Sequence, residues 1–143
     1  SGEKWSSCQT INSILLTLCS LLNNKPLLNE PGLHIKSNDF IPYQKSIEFS
    51  NIDFAICDII LQKNINLKMK NTISLFYPAM KTIFITNYNK ILEFIELHSD
   101  TSDTSEICNV NIYTMTTNIN YKLLKDKFLK TKTTILLHDG IEV

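Results

Sequence analysis

The chain has 143 residues, and its 14 basic and 14 acidic side chains leave no formal net charge. This length suffices for one domain with a buried core, or for one domain with a tail. The balanced charge gives no electrostatic footprint for nucleic acid or an acidic membrane, and no apolar run approaches the ~18 residues of a membrane span. We therefore expect a protein that binds neither. Because no secretory context argues for disulfides, we also expect a reduced intracellular compartment, the cytoplasm.

The metal-ligating residue types are scattered along the chain. A zinc site usually draws its four ligands from closely spaced pairs, and no two cysteines here have the C-x-x-C spacing. We predict no metal site, no cofactor and reduced thiols, with Cys19 and Cys57 acting as small hydrophobes in helices. The residues concerned are Cys8, Cys19, Cys57, Cys108, His34, His98 and His138.

The first predicted element is an amphipathic helix over residues 7–22. Ser6 is a suitable N-cap, Gln9 would complete a capping box, and Pro26 follows the predicted end. Apolar side chains recur every three or four residues, which predicts one face packed on a core. This stripe consists of Ile11, Leu15, Leu18 and Leu22, flanked by Ile14 and Leu21 on one side and by Cys8 and Cys19 on the other.

The opposite face of this helix is polar except for Leu16. At about 100° per residue, Asn12, Ser20 and Asn24 lie on the same side as Leu16. A single exposed leucine is common on protein surfaces, and helical geometry alone favours that interpretation. The alternative is that Leu16 is the apolar centre of a docking patch with a polar rim.

The middle of the chain predicts a loop followed by two helices. Pro31-Gly32 and Pro42 indicate a loop over residues 27–43. Ser50 would open a helix over about 51–63 that is apolar nearly all round and therefore sandwiched between other elements. A further helix over 67–76 is expected to end before Pro78.

Helical periodicity over residues 79–98 predicts another helix, although its segment Thr82–Thr86 would locally favour a strand. The remaining pattern predicts a loop over 99–105, a strand within 107–115, a helix over 118–130 with a solvated basic face, and a short strand over 135–137 before the Asp139-Gly140 turn.

Residues 3–32 carry a pattern beyond simple periodicity. Trp5-Ser6 is followed by Ile-x-x-Ile-Leu-Leu-x-Leu-x-Ser-Leu-Leu and then by the acidic loop Asn29–Gly32. This pattern resembles the part of a ubiquitin-conjugating (UBC) domain that follows its active site. Glu3-Lys4-Trp5 and Asn-Glu-Pro-Gly together resemble most the large BRUCE (apollon) type, which combines conjugating and ligase activity. The resemblance covers about residues 2–97 and is most specific up to residue 32.

The resemblance implies a truncated α+β UBC-like domain, of which this portion is mainly α-helical with little sheet. Residues 1–98 would be the C-terminal portion of that domain, and 99–143 a tail with a strand and a helix. The family transfers ubiquitin from a cysteine thioester to lysine, and its His-Pro-Asn motif and catalytic cysteine precede the position of Trp5. We therefore expect this chain alone to be inactive. The alternative function is a non-catalytic helical binding module derived from a UBC fold.

The family's roles map onto two groups of residues here. Trp5, Ser6 and Ser7 occupy the ligase-facing loop, with Ser7 in place of the usual proline. Leu16, rimmed by Asn12, Ser20 and Asn24, occupies the surface that holds donor ubiquitin, so the resemblance favours a docking role for Leu16. The resemblance also implies that the partners are ubiquitin and a ligase or another protein. The apolar face of the first helix, if uncovered, would also allow the chain to form an oligomer.

Glu30 and Cys8 are the remaining candidates for chemistry. Glu30 aligns near an acidic gate residue that would orient or desolvate an incoming lysine, but an ordinary acidic turn residue fits equally well. Cys8 lies in the predicted first helical turn, where the helix dipole lowers a thiol pKa. No neighbouring base or oxyanion site is evident, so we do not assign Cys8 as the nucleophile.

Overall fold

The computed structural model describes residues 10–63, 66–99 and 105–138. Within these residues the chain is mainly helical, with one two-stranded antiparallel sheet, so the predicted α+β class with little sheet is confirmed. None of the helices in the described part of the chain is both long enough and apolar enough to cross a membrane. The elements are α1 (Ile11–Leu21), α2 (Phe40–Ser50), α3 (Leu67–Ser99), β1 (Glu106–Val110), β2 (Met115–Ile119) and α4 (Tyr121–His138).

Helix α1 begins at Ile11 and not at residue 7, because Thr10 is extended and acts as the N-cap. The Thr10 hydroxyl accepts a hydrogen bond from the Ser13 amide at 3.2 Å, and the Ser13 hydroxyl accepts one from the Thr10 amide at 3.0 Å. These two bonds satisfy amide groups that have no partner within the helix. The predicted cap of Ser6 with Gln9 lies outside the described residues.

The second helical segment starts at Phe40, within the predicted loop, and Ser50 lies inside it without capping it. Pro42 is compatible with this start because amide groups in the first turn of a helix have no intrahelical acceptor. Residues Asn51–Asp58 continue the segment as a π-helix. The segment ends at Gln62, whose φ of 52° is left-handed.

The two helices predicted on either side of Pro78 form the single helix α3. Its buried side chains Ile73, Phe84 and Ile95 follow one helical stripe across the proline. Pro78 removes only the hydrogen bond to the carbonyl of Ser74, which is exposed and can therefore be hydrated. The apolar stripe thus outweighs the local signal of the proline, and Thr82–Thr86 is helical as predicted from the longer period.

The C-terminal part forms a hairpin and a helix. Strands β1 and β2 pair antiparallel, with Cys108 opposite Thr117. The predicted strand over 135–137 is wrong, because these residues belong to α4. The reason is a buried stripe at alternating three- and four-residue steps that extends to the end of the helix, formed by Tyr121, Leu124, Phe128, Thr131 and Ile135.

The basic face predicted for this helix is not entirely solvated. The Lys127 ammonium lies 2.6 Å from Asp53 Oδ1 and 2.7 Å from Asp58 Oδ1. It also donates to the Asp53 carbonyl at 2.9 Å, so one side chain joins α4 to the π-helical segment.

One hydrophobic core includes side chains from both sides of position 98. The core side chains include Phe49, Ile52, Cys57, Ile60, Phe84, Tyr88, Ile95, Cys108, Ile119, Tyr121, Leu124, Phe128 and Ile135. The assignment of 1–98 and 99–143 to a UBC-like portion and a tail remains a prediction. In the packing, the two parts share the same interior.

Candidate functional site

Helix α1 has no buried residue. The predicted core stripe is exposed, with Ile11 at 76%, Leu15 at 53% and Leu22 at 84% of their accessible surface, so its assignment as a buried face is wrong for the described chain. The helix is held at its C-terminal end, where the side-chain amide of Asn29 donates to the Leu21 carbonyl at 2.9 Å. Because none of the described elements covers this face, periodicity correctly indicated amphipathicity but not burial.

The predicted donor-ubiquitin face is also on the surface. Leu16 is 71% exposed, and Asn12, Ser20 and Asn24 are exposed with it. Asn24 lies beyond the end of α1, where its main-chain carbonyl accepts a hydrogen bond from the side-chain amide of Gln44 in α2 at 2.9 Å. The predicted ligase-facing residues Trp5, Ser6 and Ser7, and also Cys8, lie outside the described residues.

Glu30 lies at the first position of a tight turn. The Leu33 amide donates to the Glu30 carbonyl at 3.3 Å, with Pro31 and Gly32 at the two central positions. Gly32 has a φ of 84°, which is the left-handed conformation required at the third position of a type II turn. The Pro-Gly pair thus builds the turn, and it leaves Glu30 exposed at the surface.

The side chain of Tyr113 joins α2 to the hairpin connection, residues 111–114 between β1 and β2. Its ring packs on that of Tyr43, with centroids 5.5 Å apart. Desolvation raises the pKa of Tyr113, and the negative charge of Glu30 raises it further. Tyr43 and Gln44 are consecutive on α2, so the hairpin connection and Asn24, the last residue of the predicted donor face, both contact the start of this helix.

Asp39 fixes the hairpin connection beside α2. Its carboxylate accepts hydrogen bonds from the Asn111 amide at 2.9 Å, the Ile112 amide at 3.0 Å and the Asn111 side chain at 3.3 Å. Farther along the hairpin, Lys45 and Glu106 form an ion pair at 2.7 Å, and this hydrogen bond lowers the pKa of Glu106. Sequence reasoning missed Asp39 and Tyr113 because the partners of both lie 70 or more residues away along the chain.

The buried thiols are poorly suited to nucleophilic chemistry. Burial raises the pKa of Cys57 to about 11, and it also raises the pKa of Cys108. Cys19 is exposed on α1. Within the part of the chain that the structure describes, no three His, Cys, Asp or Glu side chains are grouped as a metal site would require.

Comparison with known proteins gives partial matches. No protein-family model matches the chain. The human protein named Ubiquitin-conjugating enzyme E2 Z is 34% identical over 61 residues, which is 41% of this chain and 17% of the human protein. The E2 Z proteins of Xenopus tropicalis and Danio rerio are each 33% identical over the same share of the chain, covering 20% and 19% of their own lengths.

This stretch is similar to ubiquitin-conjugating enzymes. The relationship predicted from residues 3–32 is therefore confirmed, whereas the narrower BRUCE (apollon) type remains a prediction. The chain matches only about a fifth of the length of these relatives.

Proposed function

We propose that this chain is part of a ubiquitin-conjugating enzyme, which transfers ubiquitin from a cysteine thioester to a lysine amine. The observation that carries the proposal is the similarity to E2 Z proteins over 61 residues. In this proposal the nucleophilic cysteine precedes Trp5. The described chain supplies two surfaces, a donor-ubiquitin face on α1 and an acidic gate turn at Glu30.

The exposure of α1 supports a donor face centred on Leu16. A side chain that is 71% exposed and rimmed by Asn12 and Ser20 offers an apolar centre with polar surroundings. Donor ubiquitin would cover Leu16 and be held close to the thioester, which restricts it to reactive orientations. Asn24 would limit this face at its end, where Gln44 anchors it to α2.

The turn geometry supports a gate role for Glu30. The lysine nitrogen attacks the thioester carbonyl, the carbon–sulfur bond breaks, the cysteine leaves as thiolate and the amine loses a proton. An exposed carboxylate beside this nitrogen would attract the lysine ammonium, orient it and assist the loss of its proton. Trp5, Ser6 and Ser7 would face a ligase, and the intact protein would belong to the large BRUCE (apollon) type.

Single-turnover discharge tests the donor face. The full-length protein is charged with ubiquitin by activating enzyme and ATP, and transfer to free lysine is followed on non-reducing gels. Leu16→Ala should charge normally and keep its melting temperature, but discharge roughly tenfold more slowly, as expected for a central interface residue. Leu123→Ala is the matched control, because Leu123 is 66% exposed on α4.

Two outcomes would contradict the proposal in different ways. Equal discharge rates for Leu16→Ala and Leu123→Ala would show that Leu16 is not part of a donor-ubiquitin face. A full-length protein that forms no reductant-sensitive adduct with ubiquitin would instead support the non-catalytic binding module.

A further inference from the structure

The π-helical segment and α3 enclose a groove with a volume of about 500 Å³. Among the described residues that line it, nine of eleven are apolar, and none belongs to α1 or to the Glu30 turn. Its floor contains the buried side chains of Ile52, Ile60 and Phe84, whereas Ala55 and Ile83 are exposed at its rim. Ligand pockets commonly have this size and a mainly apolar lining.

The shape of the groove favours an unbranched ligand. On the α3 side the lining runs from Met80 to Phe94, which at 1.5 Å per residue gives a length of ~21 Å. A volume of about 500 Å³ over this length leaves a mean cross-section of ~24 Å², whereas an α-helix with its side chains is ~10 Å across and needs roughly three times that area. A single hydrocarbon chain therefore fits along the groove, and a whole helix does not.

The wall on the π-helical side is fixed by Lys127 of α4. The Lys127 ammonium lies 2.6 Å from Asp53 Oδ1 and 2.7 Å from Asp58 Oδ1, and these two aspartates are five residues apart. In an α-helix, residues five apart point about 140° away from each other. In a π-helix the hydrogen bonds join residues five apart, which brings them close to one face. A single lysine that binds both carboxylates therefore favours the π-helical turn, so this wall is formed before any ligand arrives.

The polar side chains of the lining select an anionic end group. Lys90, which is exposed on α3, is the one charged residue among the described residues of the lining. Within the described part of the chain, no acidic side chain forms an ion pair with its ammonium. Asn87, one turn earlier, uses one hydrogen of its side-chain amide for the Ile83 carbonyl at 2.8 Å and keeps a second hydrogen for a ligand.

We propose that this groove binds a free long-chain carboxylate, with the hydrocarbon chain along the apolar floor and the carboxylate between Lys90 and Asn87. Burial of the chain supplies most of the affinity, because the driving force scales with the apolar area removed from water. The charge-assisted hydrogen bond to Lys90 fixes the direction of the ligand and selects an anion. Binding here requires neither the donor face nor the gate turn of the proposed function.

Isothermal titration of the 143-residue chain with hexadecanoate, kept below its micelle concentration, tests the charge. The wild-type chain should bind one hexadecanoate, and Lys90→Gln should raise the Kd roughly tenfold, the scale of one hydrogen bond to a charged group. Lys122→Gln is the matched control, at an exposed lysine of α4 outside the lining, and it should bind as the wild type does. Hexadecanol, which has the same chain without the charge, should bind more weakly than hexadecanoate.

A substitution that fills the groove tests the location without removing a core side chain. Ala55→Phe should abolish binding, whereas Ala79→Phe, at an exposed position of α3 outside the lining, should not. In NMR spectra of the isoleucine methyl groups, hexadecanoate should shift the signals of Ile56 and Ile83 and leave that of Ile135 in α4 unchanged. An unchanged Ile135 signal in Ala55→Phe itself shows that this variant is folded.

Several outcomes would overturn the inference. These are no binding of hexadecanoate by the wild-type chain, equal affinities of Lys90→Gln and Lys122→Gln, or equal affinities for hexadecanoate and hexadecanol. Ligand-induced shifts confined to Ile11 would place the chain of the ligand on the exposed stripe of α1 instead. Shifts of Ile56 and Ile83 that follow protein concentration without ligand would identify a second copy of this chain as the occupant.

Discussion

The ring of Phe128 in α4 stacks on the ring of Tyr88 in α3, with centroids 5.1 Å apart and an interplanar angle of 12°. Phe128 is fully buried, and it also packs on Phe84 at 5.3 Å. Residues beyond position 98 therefore complete the core that the earlier helices begin.

Truncation of Phe128 should destabilise the whole chain. Phe128→Ala removes a fully buried ring and should lower the free energy of unfolding by ~3–5 kcal/mol. The next residue, Leu129, is 38% exposed, so Leu129→Ala should cost much less. Urea denaturation followed by circular dichroism measures both. Similar decreases in the free energy of unfolding for the two variants would show that α4 is rotated from the orientation described.

Asp39 should anchor the hairpin connection. Asp39→Asn keeps the side-chain shape but replaces one acceptor oxygen with a donor and removes the charge, so it should cost about 1–3 kcal/mol. Hydrogen exchange at the Asn111 and Ile112 amides should accelerate, since these amides donate to Asp39. Asp126→Asn, at an exposed position of α4, should leave this exchange unchanged. Unaltered protection in Asp39→Asn would exclude the anchoring role.

The buried thiol of Cys57 should make stability fall at alkaline pH. The unfolded thiol ionises near pH 9.0, whereas the folded thiol, with a pKa of about 11, remains protonated. Between these values the folded state binds more protons than the unfolded state, so the free energy of unfolding decreases as the pH rises. The stability that the protonated thiol contributes is therefore fully present below pH 9 and is lost as the pH rises through 11. The stability difference between the wild-type chain and Cys57→Ala should therefore shrink across this interval.

The chain by itself should form no thioester when it is incubated with activating enzyme, ATP and ubiquitin. Cys57 and Cys108 are buried with raised pKa values, so neither presents a reactive thiolate near neutral pH. Non-reducing gels with and without reductant provide the measurement. A reductant-sensitive adduct that disappears in Cys8→Ala would make Cys8 the nucleophile, against our interpretation.

The apolar stripe of α1 should cause self-association of the chain. Leu15 is 53% exposed and shares its face with Leu18, which is 52% exposed, and a contiguous exposed apolar face is a typical association surface. Leu15→Glu should shift sedimentation equilibrium towards monomer. Leu67→Glu, at a leucine that is 75% exposed on α3, should not produce this shift. A wild-type chain that remains monomeric at high concentration would contradict this expectation.

Local sequence signals located most of the helices and identified the family relationship. Apolar residues in α3 recur with a helical period, and this periodicity outweighs the local strand preference of Thr82–Thr86. The long repeat places many pairs of residues at i, i+4 spacing, whereas the strand preference involves only five residues. The Trp-Ser start and the Asn29–Gly32 loop likewise pointed to ubiquitin-conjugating enzymes before any comparison. Such signals depend on residues close together in the chain, and a sequence alone contains them.

Tertiary structure decided which of these elements are buried and what holds the hairpin connection. The apolar stripe of α1 has the period of a core helix, yet its residues are exposed. Burial requires a second surface that packs on the stripe, and the periodicity of one helix does not encode that surface. The helical start at Phe40, the continuation through Pro78 and the helical state of Ile135 all follow from packing against distant elements. Asp39 accepts a hydrogen bond from the Asn111 amide, which lies 72 residues away, and a contact at that separation leaves no local pattern in the sequence.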